Sequence, residues 1–318
     1  MRTRLFSSLA ASAAALILLA GCGSSADSSS SGGAAADSDP DTLVFASIPS
    51  ENATSLEQQY ANVIKVIEEE TGKQVEVQNA TDYAAVIEGL RAGKVQIAGL
   101  GPFSYITAKD SDVAIEPVAA VVDSPDEEPG YKSYGIVPAD SDITDISGFK
   151  DKNVCFVDPT STSGYLYPTA GLEDAGIDPE SDITPVMAGG HDASALAVAS
   201  GQCDAGFAFD AMVEETLIKS GQLSEGQLKV VWESEIIPGS PVAISTDTMT
   251  QETQDKIKAA FTEKINVDAL VQDGVCTDAA SCVLPEESKW GYTAVDDQLY
   301  DGVRKVCEIT KAEACTAS

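Results

Sequence analysis

The chain holds one histidine, 19 basic residues against 51 acidic ones, and two tryptophans in 318 residues. The charge imbalance, −32 overall, leaves no basic stripe to neutralise phosphates, so neither nucleic acid nor an anionic membrane surface is expected as a partner. With His191 alone and no C-x-x-C pair, no zinc site or other metal site is expected. A Ser–His–Asp hydrolase would have to take His191 as its base, and the G-x-S-x-G turn that presents such a serine is missing. The phosphate loop G-x-x-x-x-G-K-[ST] is missing too. Gly99-Leu100-Gly101 is followed by Pro102 and has Ser104 where a dinucleotide fingerprint needs its third glycine. No cofactor is therefore expected, and the chain is not expected to be an enzyme. Carboxylates are too abundant for any pair of them to point to acid–base chemistry.

The one long apolar run lies at the N-terminus. Arg2 and Arg4 precede a largely apolar stretch, Leu5 to Ala20, closed by Leu19-Ala20-Gly21-Cys22. The run is short for a membrane span and has the order of a secretory signal. Its last tetrapeptide resembles the lipobox of bacterial lipoproteins, which implies cleavage before Cys22 and a lipid on the Cys22 sulfur. Residues 1–21 are expected to be the signal peptide. Residues 22–41, rich in Ser, Gly, Ala and Asp, are expected to be a flexible tether on the extracytoplasmic face of the cell membrane. Setting Cys22 aside leaves six cysteines, an even set that suits an oxidising compartment. Cys155 and Cys203 flank strands of one unit and are expected to pair, closing a loop worth about 4 kcal/mol. Cys276 with Cys282 and Cys307 with Cys315 would close short loops.

Hydrophobic spacing orders the remainder. Thr42 to Ile48 reads as a buried strand, and Leu56, Tyr60, Val63, Ile64 and Ile67 recur at helical spacing up to Gly72. Gln74 to Gln78 reads as a strand. Tyr83, Val86, Ile87 and Leu90 share one face of a helix that Thr81 or Asp82 can cap and Gly93 stops. Val95 to Leu100 is a third strand, and a short helix runs from Gly101-Pro102 to Lys109. This alternation predicts parallel α/β layers. Strands follow at Ile115 to Val122 and Tyr131 to Val137, separated by the polar loop Ser124-Pro125-Asp126-Glu127-Glu128-Pro129-Gly130, read as a solvated turn. A second unit alternates strands at Val154–Val157, Asp182–Met187, Ala205–Phe209 and Lys229–Trp232 with helices at Ser163–Gly176, His191–Ser200 and Asp210–Ser220. A strand from Pro241, a helix from Gln251 to about Asn266 and a cysteine-stapled tail complete the chain and are expected to rejoin the first unit. Two lobes result: residues 42–136 with 240–318, and 137–239. The crossovers are expected near Tyr134–Ala139 and Ile236–Ile244, with a ligand cleft between the lobes.

The most informative stretch is Val154 to Tyr167, VCFVDPTSTSGYLY. A buried strand breaks at Asp158-Pro159, and Thr160, Ser161, Thr162 and Ser163 fall where a helix begins. Free backbone N–H groups and about +0.5 of dipole charge at a helix start, joined by hydroxyl donors, form a seat for an anion without Lys or Arg. The same residues also suit an ordinary N-cap. The global negative charge does not forbid such a seat, because distant carboxylates are screened beyond about 8 Å at physiological ionic strength.

The ordered set ATDYAAVIEGLRAG, GPFSY, PGYKSYG, VDPTSTSGYLYP, AGGHDASALAVASGQCDA and IPGSP resembles the phosphate-, phosphite- and phosphonate-binding lipoproteins of ABC importers, over about residues 42 to 250. The resemblance implies an α/β fold of the type II periplasmic-binding-protein kind, with two lobes closing on a small phosphorus oxyanion. It implies that Ser161, Thr162 and Ser163 seat the phosphoryl group, that His191 donates to one oxygen, and that Tyr83 and Tyr131 reach in from the other lobe. Relatives that take aminoalkylphosphonates carry an acid in an IPGDP motif. Here Ser240 replaces it, and Asp210 is the nearest other carboxylate, so phosphite, a small alkylphosphonate or phosphate is expected over 2-aminoethylphosphonate. The expected partners are an ABC permease and its ATPase subunits, with the protein acting as a monomer. A sulfonate or other organic anion as ligand, and an exported phosphoester hydrolase, stand as alternatives.

Overall fold

The computed structural model describes residues 35–49, 57–285 and 288–316, all within one compact unit. The signal peptide, Cys22, the tether up to residue 34 and Leu56 lie outside the described residues. Among the described residues no helix is long and apolar enough to cross a membrane.

Strand β1 (Thr42–Ser47) leads through helix α1 (Ala61–Thr71) to β2 (Gln74–Asn79), then α2 (Tyr83–Arg91), β3 (Ile97–Gly99) and α3 (Pro102–Asp110). β1 pairs in parallel with both β2 and β3, as the alternation of periods predicts. Helix α1 buries Val63, Val66 and Ile67 and ends at Gly72, whose φ of 72° only glycine adopts easily. In α2 the capping choice falls on Asp82, whose Oδ1 accepts the Ala85 N–H at 2.8 Å. That cap sets the phase burying Tyr83, Val86, Ile87 and Leu90.

Next come β4 (Ile115–Val122), β5 (Gly130–Tyr131) and β6 (Ser133–Pro138), then β7 (Asn153–Phe156). A wide π-helical turn, Thr162–Leu166, runs straight into α4 (Tyr167–Asp174). β8 (Thr184–Met187), α5 (His191–Ala199) and β9 (Ala205–Phe209) follow. The helix expected over Asp210–Ser220 is present as a continuous helical run from Asp210 to Lys219, widened by a second π turn at Met212–Thr216 before its last turn, α6 (Leu217–Lys219). The chain closes with β10 (Leu228–Glu233), β11 (Ile237–Pro238), β12 (Pro241–Ser245), α7 (Gln251–Ala259), α8 (Val267–Gln272), β13 (Gly291–Ala294) and α9 (Asp301–Thr310).

These strands form a six-stranded sheet, β13-β4-β12-β3-β1-β2, and a five-stranded sheet, β10-β6-β9-β7-β8. β12 and β13 insert antiparallel beside β3 and β4, so the stapled tail does rejoin the first sheet. The expected first crossover is displaced. Residues 134–138 belong to β6, which pairs with β9 and β10 of the second sheet, so a boundary at residue 136 would cut through a strand. Its Ile136 and Val137 are fully buried, and a two-sided apolar run of this kind suits an inner strand better than an extended connection. The sheets are instead joined by a two-stranded ribbon in which β5 pairs antiparallel with β11.

A further correction concerns the N-terminal tether. Residues expected to swing freely are docked at their end: Asp39 accepts from Thr250 N at 2.8 Å and Thr253 Oγ1 at 2.7 Å at the start of α7, and Lys73 Nζ lies 3.7 Å away. The free N–H groups of a helix start draw a carboxylate whatever the surrounding composition. The cysteines pair as expected, with Cα separations of 5.9 Å (Cys155–Cys203), 5.3 Å (Cys276–Cys282) and 5.6 Å (Cys307–Cys315). The last of these staples α9, whose Val303 and Val306 share one apolar cluster with Phe103 and Ile106 of α3 and with Leu166 and Tyr167. The second sheet's π turn is therefore packed against helices of the first.

Candidate functional site

A cavity of about 270 Å³ lies between the two sheets, and Tyr83, Tyr131, Ser161, Thr162, Ser163, His191 and Asp210 all line it. The residues nominated from sequence come from five separated segments, and the fold brings all of them to one place.

The floor is the loop after β7. Ser161 caps the π turn, its Oγ accepting the Gly164 N–H at 3.1 Å. Gly164 is required here by space: a Cβ would meet Val157 Cγ2 at 2.3 Å. Thr162 Oγ1 accepts the Phe103 N–H at 2.8 Å, and Ser163 O accepts from Ser133 Oγ at 2.6 Å. Ser161, Thr162 and Ser163 are all buried. Each hydroxyl that accepts an amide proton keeps its own proton free to donate, so the floor presents donors.

His191 opens α5, one residue after Gly190. Its Nδ1 accepts the Phe209 N–H at 3.2 Å, which places the imidazole proton on Nε2, 3.4 Å from Ser161 Oγ. Burial lowers its pKa to about 3, so the ring is a neutral donor over the physiological range. Tyr83 is 1% exposed. Its hydroxyl faces Ser161 but meets hydrogen-bond geometry with none of the described residues. Burial holds its pKa far above the ordinary phenol range, so it too stays protonated. Tyr131, in the ribbon, sets its ring edge-on to Phe209 with centroids 6.5 Å apart.

Asp210 behaves differently. Its Oδ2 accepts from Lys132 N at 2.9 Å and its Oδ1 from Ala211 N at 3.0 Å. Burial raises its pKa, partly offset by those amides. Both carboxylate oxygens are tied to backbone, which anchors the ribbon beside Tyr131. Ser240 lines the cavity as well, next to Gly239, whose carbonyl accepts from Tyr300 Oη at 3.1 Å.

Several contributors were not found from sequence. The loop taken for a solvated turn supplies Glu127 and Glu128 to the cavity mouth, with Asp123, Glu214 and Glu215 beside them. Nothing in a run of acids distinguishes a rim from a plain surface. Gly101 and the Phe103 amide also escaped notice, because a backbone donor leaves no mark in side-chain chemistry. The Pro102 that opens α3 was the available signal.

Two sheets joined by a ribbon, with a donor-rich cavity between them, define a cleft-type binding protein. Residues 45–273 match the family described as ABC transporter, phosphonate, periplasmic substrate-binding protein, and the chain belongs to that family. It is 46% identical over 288 residues to the phosphate-import protein PhnD of Mycolicibacterium smegmatis, covering 88% of this chain and 89% of that one. It is 33% identical over 233 residues to the phosphonates-binding periplasmic protein of Escherichia coli, covering 71% and 67%. A binding-protein component of an ABC phosphonate transporter from Pseudomonas aeruginosa superposes with a TM-score of 0.73 at 28% identity, covering 86% of this chain and 87% of that one. The protein is thus an extracytoplasmic substrate-binding component of an ABC importer.

Proposed function

We propose that the cavity captures a small tetrahedral phosphorus oxyanion, phosphate, phosphite or a short alkylphosphonate, and that the loaded protein delivers it to an ABC permease driven by its ATPase subunits. The observation that carries this is the donor set: the hydroxyls of Ser161, Thr162 and Tyr83 and the Nε2–H of His191, all buried and all uncharged. Oriented neutral dipoles in a site shielded from water hold an oxyanion's charge and release it again, since none of the described lining residues is a Lys or Arg that would trap it. The naming of the 46%-identical relative as a phosphate-import protein supports placing phosphate among the ligands. With Ser240 in place of an acid and the Asp210 oxygens already engaged by amides, a ligand ammonium has less to bind than the anion does. The proposal includes a lipid on Cys22, a monomeric protein, and Tyr131 as a wall of the pocket. It also assigns the Ser163 hydroxyl to the seat.

The test is calorimetric titration of the chain lacking residues 1–21, with Cys22→Ser, against phosphate, phosphite, methylphosphonate, 2-aminoethylphosphonate and methanesulfonate. Binding of one of the first three is the expected result. Heat from the sulfonate alone would overturn the phosphorus assignment in favour of another anion.

A further inference from the structure

Thr162 belongs to the loop that follows β7 of the second sheet, yet its hydroxyl accepts a buried hydrogen bond from Phe103 N–H of α3, which follows β3 of the first sheet, at 2.8 Å. A second bond runs the same way, Ser104 Oγ donating to Thr160 O at 2.9 Å. The approach is tight enough that a side chain at Gly101 would press on the hydroxyl. A Cβ on Gly101 would stand 3.1 Å from Thr162 Oγ1 and 3.6 Å from Ile48 Cδ1. Gly101 has φ −73° and ψ 156°, a conformation open to any residue, so its smallness serves the contact and not the backbone.

A threonine hydroxyl has one proton to give and two lone pairs to fill. With the Phe103 amide on one lone pair, the proton is directed elsewhere, and Thr162 lines the cavity. We propose that Thr162 relays ligand binding between the sheets: the hydroxyl donates a hydrogen bond to the anion on one side while the Phe103 amide donates to the same oxygen on the other. Hydrogen bonds in such a chain strengthen one another, because each polarises the shared oxygen. The first turn of α3 adds its dipole in the same sense. The anion and α3 are thereby coupled through one atom, and occupancy of the seat tightens the contact between the two halves. This rests on the capture of an oxyanion proposed above.

The experiment is hydrogen exchange at the Phe103 amide, with and without whichever of phosphate, phosphite or methylphosphonate the protein binds, in the wild type, Thr162→Ser, Thr162→Val and Gly101→Ala. The relay predicts that ligand slows this exchange about fivefold or more in the wild type, the low end of ordinary coupling between sites. Thr162→Ser should keep the effect. Thr162→Val and Gly101→Ala should abolish it and speed ligand dissociation. Wild-type binding with Phe103 exchange unmoved by ligand would overturn the relay and leave the capture function standing, whereas no binding of any of the three would overturn the capture reading and the relay with it. Coupling that persists in a folded Thr162→Val variant would assign the effect to packing of α3 and overturn the role of the hydroxyl.

Discussion

Phe209 N–H donates to His191 Nδ1 at 3.2 Å, and this one bond decides what the only histidine can do. It fixes the tautomer, aims Nε2–H toward Ser161, and leaves a second proton only Nδ1, where it would break the bond from the Phe209 amide.

Protonating His191 therefore opposes the fold. Its pKa falls from 6.5 to about 3 by burial, so the unfolded chain binds this proton more tightly than the native one does. The stability this group supports is complete above about pH 6.5 and declines as pH falls from there toward 3. Melting curves of the wild type and His191→Gln across that window should diverge at the acid end, the variant being less acid-sensitive. Parallel curves would show that the ring is not buried in the neutral form. At pH 7 the loss of its donor in His191→Ala should weaken anion binding by about 1.5–3 kcal/mol.

Tyr83→Phe should act on stability and binding in opposite senses. A buried hydroxyl without a protein partner costs about 1–3 kcal/mol, so its removal should leave the ligand-free protein as stable as before or more so. Binding should weaken by about 1.5–3 kcal/mol, the scale of a hydrogen bond to a charged group. Melting without ligand and calorimetry with it separate the two effects, and unaltered affinity would remove Tyr83 from the site.

The docked end of the tether gives a prediction about stability alone. Burial works to raise the pKa of Asp39, but the hydrogen bonds from Thr250 and Thr253, with Lys73 nearby, hold it below 3.8. Its contribution is present above the ordinary carboxylate range and is lost as pH falls through the lowered value. Asp39→Ala should cost about 1 kcal/mol, as for loss of a helix cap, read from the denaturation midpoint at pH 7, with affinity unchanged. A midpoint equal to that of the wild type would mean the end of the tether is not docked in solution.

The carboxylates at the cavity mouth should govern the rate of entry. Glu127, Glu128 and Glu214 repel an approaching anion, and raising salt from about 0.01 M to about 0.15 M shortens the Debye length from about 30 Å to about 8 Å. Stopped-flow association should therefore accelerate with salt, opposite to the usual trend for ligands steered by complementary charge. Glu127→Gln with Glu128→Gln should raise the low-salt rate and flatten the dependence. A rate that falls with salt would mean that another field controls entry.

The sequence made the chemistry of the floor legible because strand, breaker and hydroxyl cluster are contiguous: Val154 to Ser163 announces both the fold element and its donors. The alternation of periods likewise exposed the parallel β1–β2–β3 layer. What stayed hidden depends on long-range geometry. The pairing of β6 with β9 and β10 moved the crossover, since an apolar run reads alike as a strand of either sheet. The Phe103 amide is invisible as a residue type, and Glu127 resembles any other surface acid until the fold brings it to the same cavity as Glu214. Asp39 sits in a composition typical of linkers, and only the approach of Thr250 and Thr253 gives it a task.

The β5–β11 ribbon imposes a geometric division of labour on the cavity's walls. Points near an axle travel least when the parts on either side swing. Tyr131 sits in the ribbon itself, while Tyr83 and His191 are carried on opposite sheets. If the sheets turn about the ribbon, Tyr131 behaves as a fixed gauge for whatever substituent extends from the anion, and the Tyr83–His191 span behaves as the jaw that grips its oxygens. Changes of ring size at residue 131 should then alter which molecules are admitted, and changes at residues 83 and 191 should alter how long they stay.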